Sequence, residues 1–347
     1  MSSIPSYPPT QDERLAQERA NSNMFTVKQA NDVLKEAMLR PDPDNLYKGL
    51  WYEGEVCCLF ADSNLGKSIL AVQMANDIAE KRQVLYFDCE LSDKQFQLRY
   101  TDEATGRPFS FSENLYRAEV NPFMSAPGAF KKDPLDHIEE LASRFGNPVL
   151  IIDNLSYLCN DSDKGDEAGL LMMKLMNLKK KYGWSVMVIA HTPKRNLSRP
   201  ITQNDLAGSK KLYNFFDSVF AIGKAATAEN LRYVKQLKTR SGEVRFGSSS
   251  VIVCELVKRE GFLYFEFMGF ERESKFLRVD PSHEADLQSV KDLRSVGKSI
   301  RDIADKLDMS KSTIQRLCTE LDARKDEILH SGNALSASEE VSLFDFF

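Results

Sequence analysis

Residues 61–68, Ala-Asp-Ser-Asn-Leu-Gly-Lys-Ser, combine residue types that bind phosphate. They follow an apolar run at 56–60 and lead into a helical pattern. Backbone N–H groups of such a loop, with the start of the following helix, form a cradle for anions. Lys67 can neutralise the β- and γ-phosphates, and Ser68 can ligate Mg²⁺. The pattern therefore predicts a site for ATP and Mg²⁺. The candidate nucleotide-binding residues are Ala61, Asp62, Ser63, Asn64, Leu65, Gly66, Lys67, Ser68 and Ile69.

Ala61 stands where the usual phosphate-loop pattern has its first glycine. Alanine is the mildest replacement, but it would be strained if this position required a positive φ. The alternative interpretation is a chance turn before an ordinary helix. Strand, Gly-Lys-Ser and helix occur in the required order, which favours the nucleotide site.

Acidic residues follow two other apolar runs. Asp153 ends the run 149–152, where a buried strand would deliver a carboxylate to the edge of the sheet beside the phosphates, and it is the candidate ligand of Mg²⁺ and its water. Glu90 follows the run 84–87 and is the candidate catalytic base, because it could orient or deprotonate the attacking water. Asp88 is the competing carboxylate; strand alternation would place it on the same face, one pleat deeper.

A fourth apolar run, 186–190, ends at His191, which could sense the γ-phosphate and pass its presence to the loop that follows. That loop contains Lys194, Arg195 and Arg199 and continues to residue 211. Its length and basic character are typical of a mobile nucleic-acid-binding loop. Composition alone is equally compatible with a solvated surface loop.

The apolar runs must belong to elements that position these residues. Runs at 56–60, 84–87, 149–152 and 186–190 alternate with helical patterns, which predicts a buried, parallel sheet with helices on both faces. Later runs at 218–222, 231–237, 251–256 and 262–267 are separated by turn-like segments without helices. These predict antiparallel strands that extend the sheet.

Length and composition limit the other possibilities. A chain of 347 residues can bury a full α/β core and still carry a second small domain. The net charge of −5 excludes a uniformly basic coat, so DNA contacts must come from local patches. No apolar stretch is long enough to cross a bilayer, and we expect a cytoplasmic protein without a membrane partner. The six cysteines are scattered without a Cys-x-x-Cys pair, so we expect neither zinc nor disulfides.

The two ends of the chain carry separate patterns. Residues 1–22 have the composition of a mobile arm. Apolar residues then recur at helical spacing from Thr26, a candidate N-cap, until Pro41 stops the pattern. This predicts an amphipathic helix that packs either on its own domain or on a neighbouring subunit.

Residues 284–325 carry three short helical patterns with a tight turn at Asp308. Ser299 and Ser310 are candidate N-caps of the second and third helices. This is the pattern of a helix-turn-helix module, for which a protein-contact role is the alternative. The third helix would present four residues to bases and phosphates. These candidates are Lys311, Ser312, Gln315 and Arg316.

The order of the motifs across about residues 46–270 resembles the RecA-like ATPases, and more narrowly the RepA/DnaB-type hexameric helicases. The resemblance rests on the loop at 61–68, Glu90, Asp153, His191 and the segment 208–218. It implies an ATPase that acts on DNA as a homo-hexamer or other ring. In this family a Lys-x-Arg element reaches into the neighbouring subunit's ATP site, and Lys238 and Arg240 match it. The resemblance thus implies catalytic roles for Lys238 and Arg240 in addition to Glu90, Lys67 and His191. The helix-turn-helix segment resembles resolvase- and homeodomain-like modules.

The expected organisation has five parts: an arm and helix at 1–45, an ATPase domain at 46–270, a linker at 271–283, a helix-turn-helix domain at 284–325 and a flexible tail at 326–347. The expected fold is α/β, a RecA-like core plus a small all-α domain. The segment 341–344 loosely resembles peptides that bind bacterial sliding clamps, which suggests a protein partner for the tail. The leading hypothesis is a DNA-binding helicase or motor ATPase in replication or mobilisation of DNA, including that of a mobile element. The alternative is a regulator whose oligomerisation on DNA is controlled by ATP.

Overall fold

A computed structural model describes residues 25, 27–120, 133–154, 166–192, 195–206, 210–226 and 228–333, with side chains at all of these except 166–168, 210–211 and 323–333. The chain divides into two compact units between Pro43 and Asp44. Thr26 and the segment 341–344 lie outside the described residues.

The first unit contains helix α1 (Ala30–Met38), whose residues are all exposed. The helix begins after Gln29, which makes no side-chain cap, and so starts later than the sequence pattern predicts. Leu34 and Met38 on the predicted apolar face are 63% and 85% exposed.

The second unit is built on a large sheet with helices on both sides. Its strands are β1 (Asn45–Tyr47), β2 (Trp51–Tyr52), β3 (Val56–Ala61), β4 (Val84–Asp88), β5 (Leu115–Glu119), β6 (Val149–Asp153), β7 (Ser185–His191), β8 (Ser218–Lys224), β9 (Leu231–Lys238), β10 (Val251–Arg259) and β11 (Phe262–Glu271). Its helices are α2 (Lys67–Ala79), α3 (Asp93–Arg99), α4 (Pro134–Ala142), α5 (Asp166–Tyr182), α6 (Lys210–Phe215), α7 (Pro281–Ser295), α8 (Ile300–Leu307) and α9 (Lys311–Asn333).

In the described residues the main sheet has nine strands in the order β11-β10-β9-β8-β3-β7-β6-β4-β5, and β1 and β2 form a separate hairpin. The strands from β8 to β5 in this order are parallel, whereas β9, β10 and β11 are antiparallel. The predicted α/β class is confirmed. The prediction that β8 begins the antiparallel extension was wrong, because β8 pairs with β3 in parallel. Helix α6 lies between β7 and β8 and returns the chain to the starting edge, as a parallel connection requires.

The central strands are buried on both faces. All six residues of β3 are buried, and alternate side chains enter two different cores. Cys58 and Phe60 join the core that contains α4 and α5, whereas Cys57 and Leu59 join the one that contains α2. Such a strand reads as a continuous apolar run, which is why the sequence predicts it well.

The hairpin of β10 and β11 packs against helix α2. The Gln73 side chain exchanges hydrogen bonds with the Phe265 backbone, donating to its oxygen at 3.2 Å and accepting from its nitrogen at 2.9 Å. The Phe265 ring lies against Gly66, where an added Cβ would come within 2.9 Å of it. At the tip of the hairpin, Lys258 donates to the Leu98 carbonyl at 3.5 Å. The hairpin therefore reaches from the phosphate-loop segment to helix α3.

A buried hydrogen-bonded cluster, here called the Glu273 hub, joins the loop after β7 to the segment after β11. Glu273 is 1% exposed and accepts from Lys235 Nζ at 2.5 Å, from the Ile201 backbone nitrogen at 2.7 Å, from Ser248 Oγ at 2.9 Å and from Tyr233 OH at 3.3 Å. Lys235 also donates to the Ile201 carbonyl at 2.6 Å. The hub thus satisfies a buried ion pair with neighbouring polar groups, as burial of charge requires.

The segment predicted as a linker at 271–283 is ordered against the sheet. Residues Glu273–Phe276 form a 3₁₀ helix in which Glu273 and Phe276 are buried. Pro281 occupies the first turn of α7, where the missing N–H costs nothing, so this helix begins earlier than predicted.

Helices α7, α8 and α9 enclose a core of their own. Its buried residues are Leu287, Val290, Ile303, Ala304, Ile314, Leu317 and Cys318. Ser299 caps α8 in a reciprocal capping box with Asp302, and Ser310 Oγ accepts from the Thr313 backbone nitrogen at 3.1 Å. Asp308 turns the chain between α8 and α9 with a φ of 51°. In the described residues, α9 continues to Asn333, beyond the predicted end at 325.

Candidate functional site

Strand β3 delivers the candidate phosphate loop to the carboxyl edge of the sheet. Ala61 is the last residue of β3, is 1% exposed, and pairs with His191 of β7 and Ile222 of β8. The positive φ angles of the loop lie at Asn64 (61°) and Gly66 (93°). Ala61 is not among the positive-φ residues, so the condition under which alanine would be strained does not arise, because an extended strand position accepts any Cβ.

Gly66 and Lys67 have the geometry of an anion site. Gly66 occupies the N-cap of α2 in the left-handed region, and the first N–H groups of a helix have no acceptor within the helix, so they can bind an anion. Lys67 is 7% exposed, and its Nζ donates to the carbonyls of Ala61 and Asp62, both at 3.1 Å. Burial lowers the pKa of Lys67, while the charges of Asp153, Glu90 and Asp62 act to raise it.

Asp153 ends β6 one strand beyond β7, on the same edge as the loop. Its carboxylate is 2% exposed and accepts from Tyr86 OH at 2.7 Å. Burial raises the pKa of the Asp153 carboxyl, and hydrogen bonds from Ser68 and Tyr86 oppose that rise. The predicted Mg²⁺ ligands, Ser68 and Asp153, thus lie at the same part of the site, where Ser68 acts on the pKa of Asp153.

The two competing carboxylates after β4 have different surroundings. Asp88 is buried, pairs with Arg117 Nε at 2.9 Å, and accepts from the backbone nitrogens of Glu90 and Leu91 at 3.1 and 2.9 Å. These contacts use the Asp88 carboxylate to hold the turn. Glu90 lies beyond the end of the strand with its side chain 43% exposed, so a carboxylate accessible to water is left at the site. The sequence analysis compared Asp88 and Glu90 by strand alternation, but β4 ends at Asp88, so the alternation does not apply to Glu90.

Glu90, Asn154 and His191 form a cluster at the ends of β4, β6 and β7. Asn154 Nδ2 donates to Glu90 Oε1 and lies 3.2 Å from His191 Nε2. His191 Nε2 lies 3.4 Å from Glu90 Oε1. The structure thus brings the predicted base and sensor together. Sequence reasoning missed Asn154, and its position directly after Asp153 was the available signal.

Lys238 and Arg240 lie at the amino ends of the parallel strands, opposite the carboxyl edge that holds the phosphate loop. Lys238 Nζ donates to the carbonyls of Tyr213 and Asn214 at 3.0 and 3.2 Å, and burial lowers the pKa of Lys238. Arg240 pairs with Asp217 at 2.9 Å, and Asp217 also accepts from the nitrogen of Val56, the first residue of β3. Strand β3 spans about 16 Å from Val56 to the phosphate loop at its other end. Neither cation is therefore beside its own chain's phosphate loop.

The loop after β7 is held in place where it is described. Arg195 donates to the Arg199 carbonyl at 2.7 Å, and Ile201 is bound in the Glu273 hub. The Arg278 backbone nitrogen donates to the Leu197 carbonyl at 3.1 Å. These contacts differ from the predicted mobile loop, because buried polar groups fix its second half. Lys194 lies outside the described residues.

The candidate recognition residues are all on the solvent side of α9. Lys311, Ser312, Gln315 and Arg316 are exposed, whereas the intervening residue Ile314 is buried in the small core. This placement follows from helical spacing, which separates the two faces of α9.

The residues at the carboxyl edge fit ATP with Mg²⁺. Lys67 is a buried cation whose Nζ donates to two carbonyl oxygens of its own loop, and a phosphate could accept a further hydrogen bond from it. Adjacent hydroxyl and carboxylate oxygens at Ser68 and Asp153 are the hard ligands that Mg²⁺ prefers. Glu90 supplies a carboxylate accessible to water, so the arrangement can position a nucleotide and activate a nucleophile. Within the described residues, no helix has the length and apolar character that a membrane span needs.

Comparison with known proteins agrees with this geometry. A family model described as an AAA domain matches residues 25–196, just under half of the chain. Curated proteins gave no significant sequence match.

Two solved structures are similar to this chain in fold. The ATPase domain of the protein G-40-P has a TM-score of 0.51 at 15% identity, covering 70% of this chain and 99% of that one. A DnaB-like replicative helicase, described with its interactions with primase, has a TM-score of 0.51 at 14% identity, covering 72% and 73%. The chain has the RecA-like fold of these ATPase domains.

Proposed function

We propose that the chain is an ATP-hydrolysing motor ATPase of the RepA/DnaB helicase type that acts on DNA in replication or in mobilisation of a genetic element. The observation that carries the proposal is the grouping of Lys67, Asp153, Glu90 and His191 at one edge of the sheet. The fold places this edge where α/β proteins bind ligands, outside the carboxyl ends of the strands.

Each residue has a distinct task in this mechanism. Lys67 and the amides at the start of α2 bind the phosphates, while Ser68 and Asp153 would hold Mg²⁺, which would supply positive charge to stabilise the transferred phosphoryl group. Glu90 accepts a proton from, or orients, the attacking water, because its carboxylate is accessible. His191 contacts the γ-phosphate and reports on it through β7 to the loop that follows.

Lys238 and Arg240 act on a neighbouring subunit's nucleotide in this proposal. Their position at the opposite edge supports the idea, because they are remote from their own phosphate loop and Arg240 is about half exposed. Such cations stabilise charge that develops on the γ-phosphoryl group only when two subunits meet. Hydrolysis then requires assembly into a hexamer or other ring.

DNA contacts are assigned to two surfaces. Lys194, Arg195 and Arg199 in the loop after β7 would contact the phosphates of single-stranded DNA. The exposed positions 311, 312, 315 and 316 of α9 would read a duplex site, with α7–α9 as a helix-turn-helix module.

Single-stranded DNA is expected to accelerate ATP hydrolysis several-fold, because binding near the loop after β7 would favour the active arrangement of His191. The measurement is steady-state phosphate release with and without DNA, together with unwinding of a forked duplex, using Lys67→Ala as the inactive control. A rate of ATP hydrolysis that does not change when DNA is added, together with no unwinding of the forked duplex, would contradict the helicase interpretation. An ATP-controlled DNA-binding regulator would then account for duplex binding.

Removing two cations from α9 is expected to weaken duplex binding without unfolding the domain. The double variant Lys311→Ala/Arg316→Ala should bind at least about tenfold more weakly and lower the salt slope by about 2, as loss of two phosphate or base contacts implies. The matched control is Lys291→Ala, an exposed cation on α7, which should change affinity less than about twofold. Fluorescence anisotropy on a selected duplex measures both. Equal losses in both variants, or none, would favour a protein-contact module.

A further inference from the structure

Asn154 is a buried amide between two side chains that carry proposed roles in hydrolysis. It is 7% exposed and follows Asp153 at the end of β6. Its Nδ2 donates to Glu90 Oε1, from the turn after β4, and lies 3.2 Å from Nε2 of His191, from the end of β7. One amide group therefore touches residues from two other strand ends.

The chemistry of the three groups fixes the orientation of the amide. A carboxylate only accepts hydrogen bonds, so the nitrogen end of the Asn154 amide must face Glu90. That nitrogen carries two donor hydrogens and no acceptor, and the second hydrogen is available to His191. In the imidazole tautomer whose proton is on Nδ1, Nε2 of His191 accepts this hydrogen; Nε2 also lies 3.4 Å from Glu90 Oε1.

With this tautomer, the positions of His191 and Glu90 depend on each other through Asn154. A His191 that donates from Nε2 to a phosphate oxygen carries its proton on that atom, and the contact with Asn154 would then set donor against donor. The amide would then have to turn or move, and its nitrogen is the atom that donates to Glu90. A change in the hydrogen bonding of His191 would therefore change the position of the Glu90 carboxylate.

We propose that Asn154 is a positioning residue that couples His191 to Glu90, so that contact with the γ-phosphate sets the position of the carboxylate that activates water. The inference rests on the proposed ATPase function and on the roles assigned there to Glu90 and His191. Asn154 itself need not touch the nucleotide, and it acts through the two side chains it joins.

Asn154→Ala and Asn154→Leu are expected to lower kcat for ATP hydrolysis by about 10- to 100-fold, the usual effect of losing a hydrogen-bonded support of a reacting group. KM and the affinity for a fluorescent ATP analogue should stay within about twofold, since no bond to nucleotide is removed. Leucine keeps the volume of asparagine without its hydrogen bonds, so it tests the amide even if alanine leaves a destabilising cavity. Both use the full chain with single-stranded DNA.

Two comparisons separate positioning from a merely structural role. Asn114→Ala removes a half-buried amide that donates to the Ala79 carbonyl at 3.0 Å, and it should affect stability without a selective fall in kcat. In a His191→Ala background, Asn154→Ala should lower kcat by a smaller factor than in the unaltered protein, because only the bond to Glu90 is then left to lose.

Several results would overturn the inference. These are an unchanged kcat in both Asn154 variants, a loss of ATP affinity that matches the loss of kcat, or full additivity with His191→Ala. If the unaltered protein does not hydrolyse ATP at all, the proposed function fails and this inference falls with it. Hydrolysis in the unaltered protein with an unchanged kcat in the variants overturns the role of Asn154 alone.

Discussion

Subunits that carry Arg240→Ala, mixed with subunits that carry Glu90→Ala, are expected to regain ATP hydrolysis that neither variant has alone. The reason is the position of Arg240 beside Asp217 and the start of β3, at the opposite edge of the sheet from Glu90. If Arg240 serves a neighbour, a complete site needs Glu90 from one subunit and Arg240 from the next.

The expected magnitudes are large enough to be unambiguous. Loss of an arginine that stabilises the transferred phosphoryl group costs about 10³- to 10⁵-fold in kcat. In a ring assembled at random from equal amounts of the two variants, about a quarter of the interfaces combine both intact residues. The mixture should therefore recover up to about a quarter of the unaltered activity, measured as phosphate release after co-refolding or subunit exchange.

Matched controls exclude simpler explanations. Arg259→Ala removes an exposed arginine that is likewise paired with a carboxylate, Glu266 at 2.7 Å, and should leave hydrolysis unchanged. Arg240→Ala should still bind ATP, because the phosphate loop of its own chain is intact. A mixture that stays inactive although both variants bind ATP and assemble would contradict the assignment of Arg240 to the neighbouring site.

Glu273→Ala is expected to destabilise the chain by about 3–5 kcal/mol, because it leaves a buried lysine without its counter-charge. Lys235 is 7% and Glu273 1% exposed as side chains, and their ion pair is 2.5 Å long. The same substitution removes the acceptor of the Ile201 backbone nitrogen. Urea unfolding at neutral pH gives the free energy of unfolding from the midpoint and slope.

The control for this prediction is a second carboxylate in an exposed pair. Glu266→Ala breaks the Arg259 pair, in which the arginine is 63% exposed, and should cost no more than about 1 kcal/mol. Lys235→Met combined with Glu273→Leu should cost less than the sum of the single changes, because no charge is left alone. Equal losses for Glu273→Ala and Glu266→Ala would show that the hub carries no special stability.

The central strands could be predicted because their surroundings are uniform. The run that became β3 is apolar throughout, since helices cover both faces of the sheet at that point. Strand β5 was missed for the opposite reason: no residue of Leu115–Glu119 is fully buried, and its sequence Leu-Tyr-Arg-Ala-Glu has no apolar run. The parallel pairing of β8 depended on the short helix α6, which local periodicity did not indicate.

The site residues show a similar division. The positions of Lys67, Ser68 and Asp153 at one edge of the sheet could be predicted, because a loop after a strand and a carboxylate at a strand end have fixed places in the fold. The contact of Asn154 with Glu90 and His191 could not, since it joins residues 64 and 37 positions apart across three strand ends. The Glu273 hub was missed because a charged segment with a proline resembles an exposed linker, and only tertiary contacts reveal its burial.

The segment after β9 has a consequence for assembly. Arg240 is bonded to Asp217, Lys238 to the end of α6, and Ser241 donates to the buried Glu55. These contacts lie within one chain, so the two cations are preorganised before any neighbour arrives. Ordering a side chain at an interface costs about 0.5–1.5 kcal/mol of conformational entropy. In the assembly proposed above, that entropy would already be lost during folding, so association of subunits would be correspondingly more favourable.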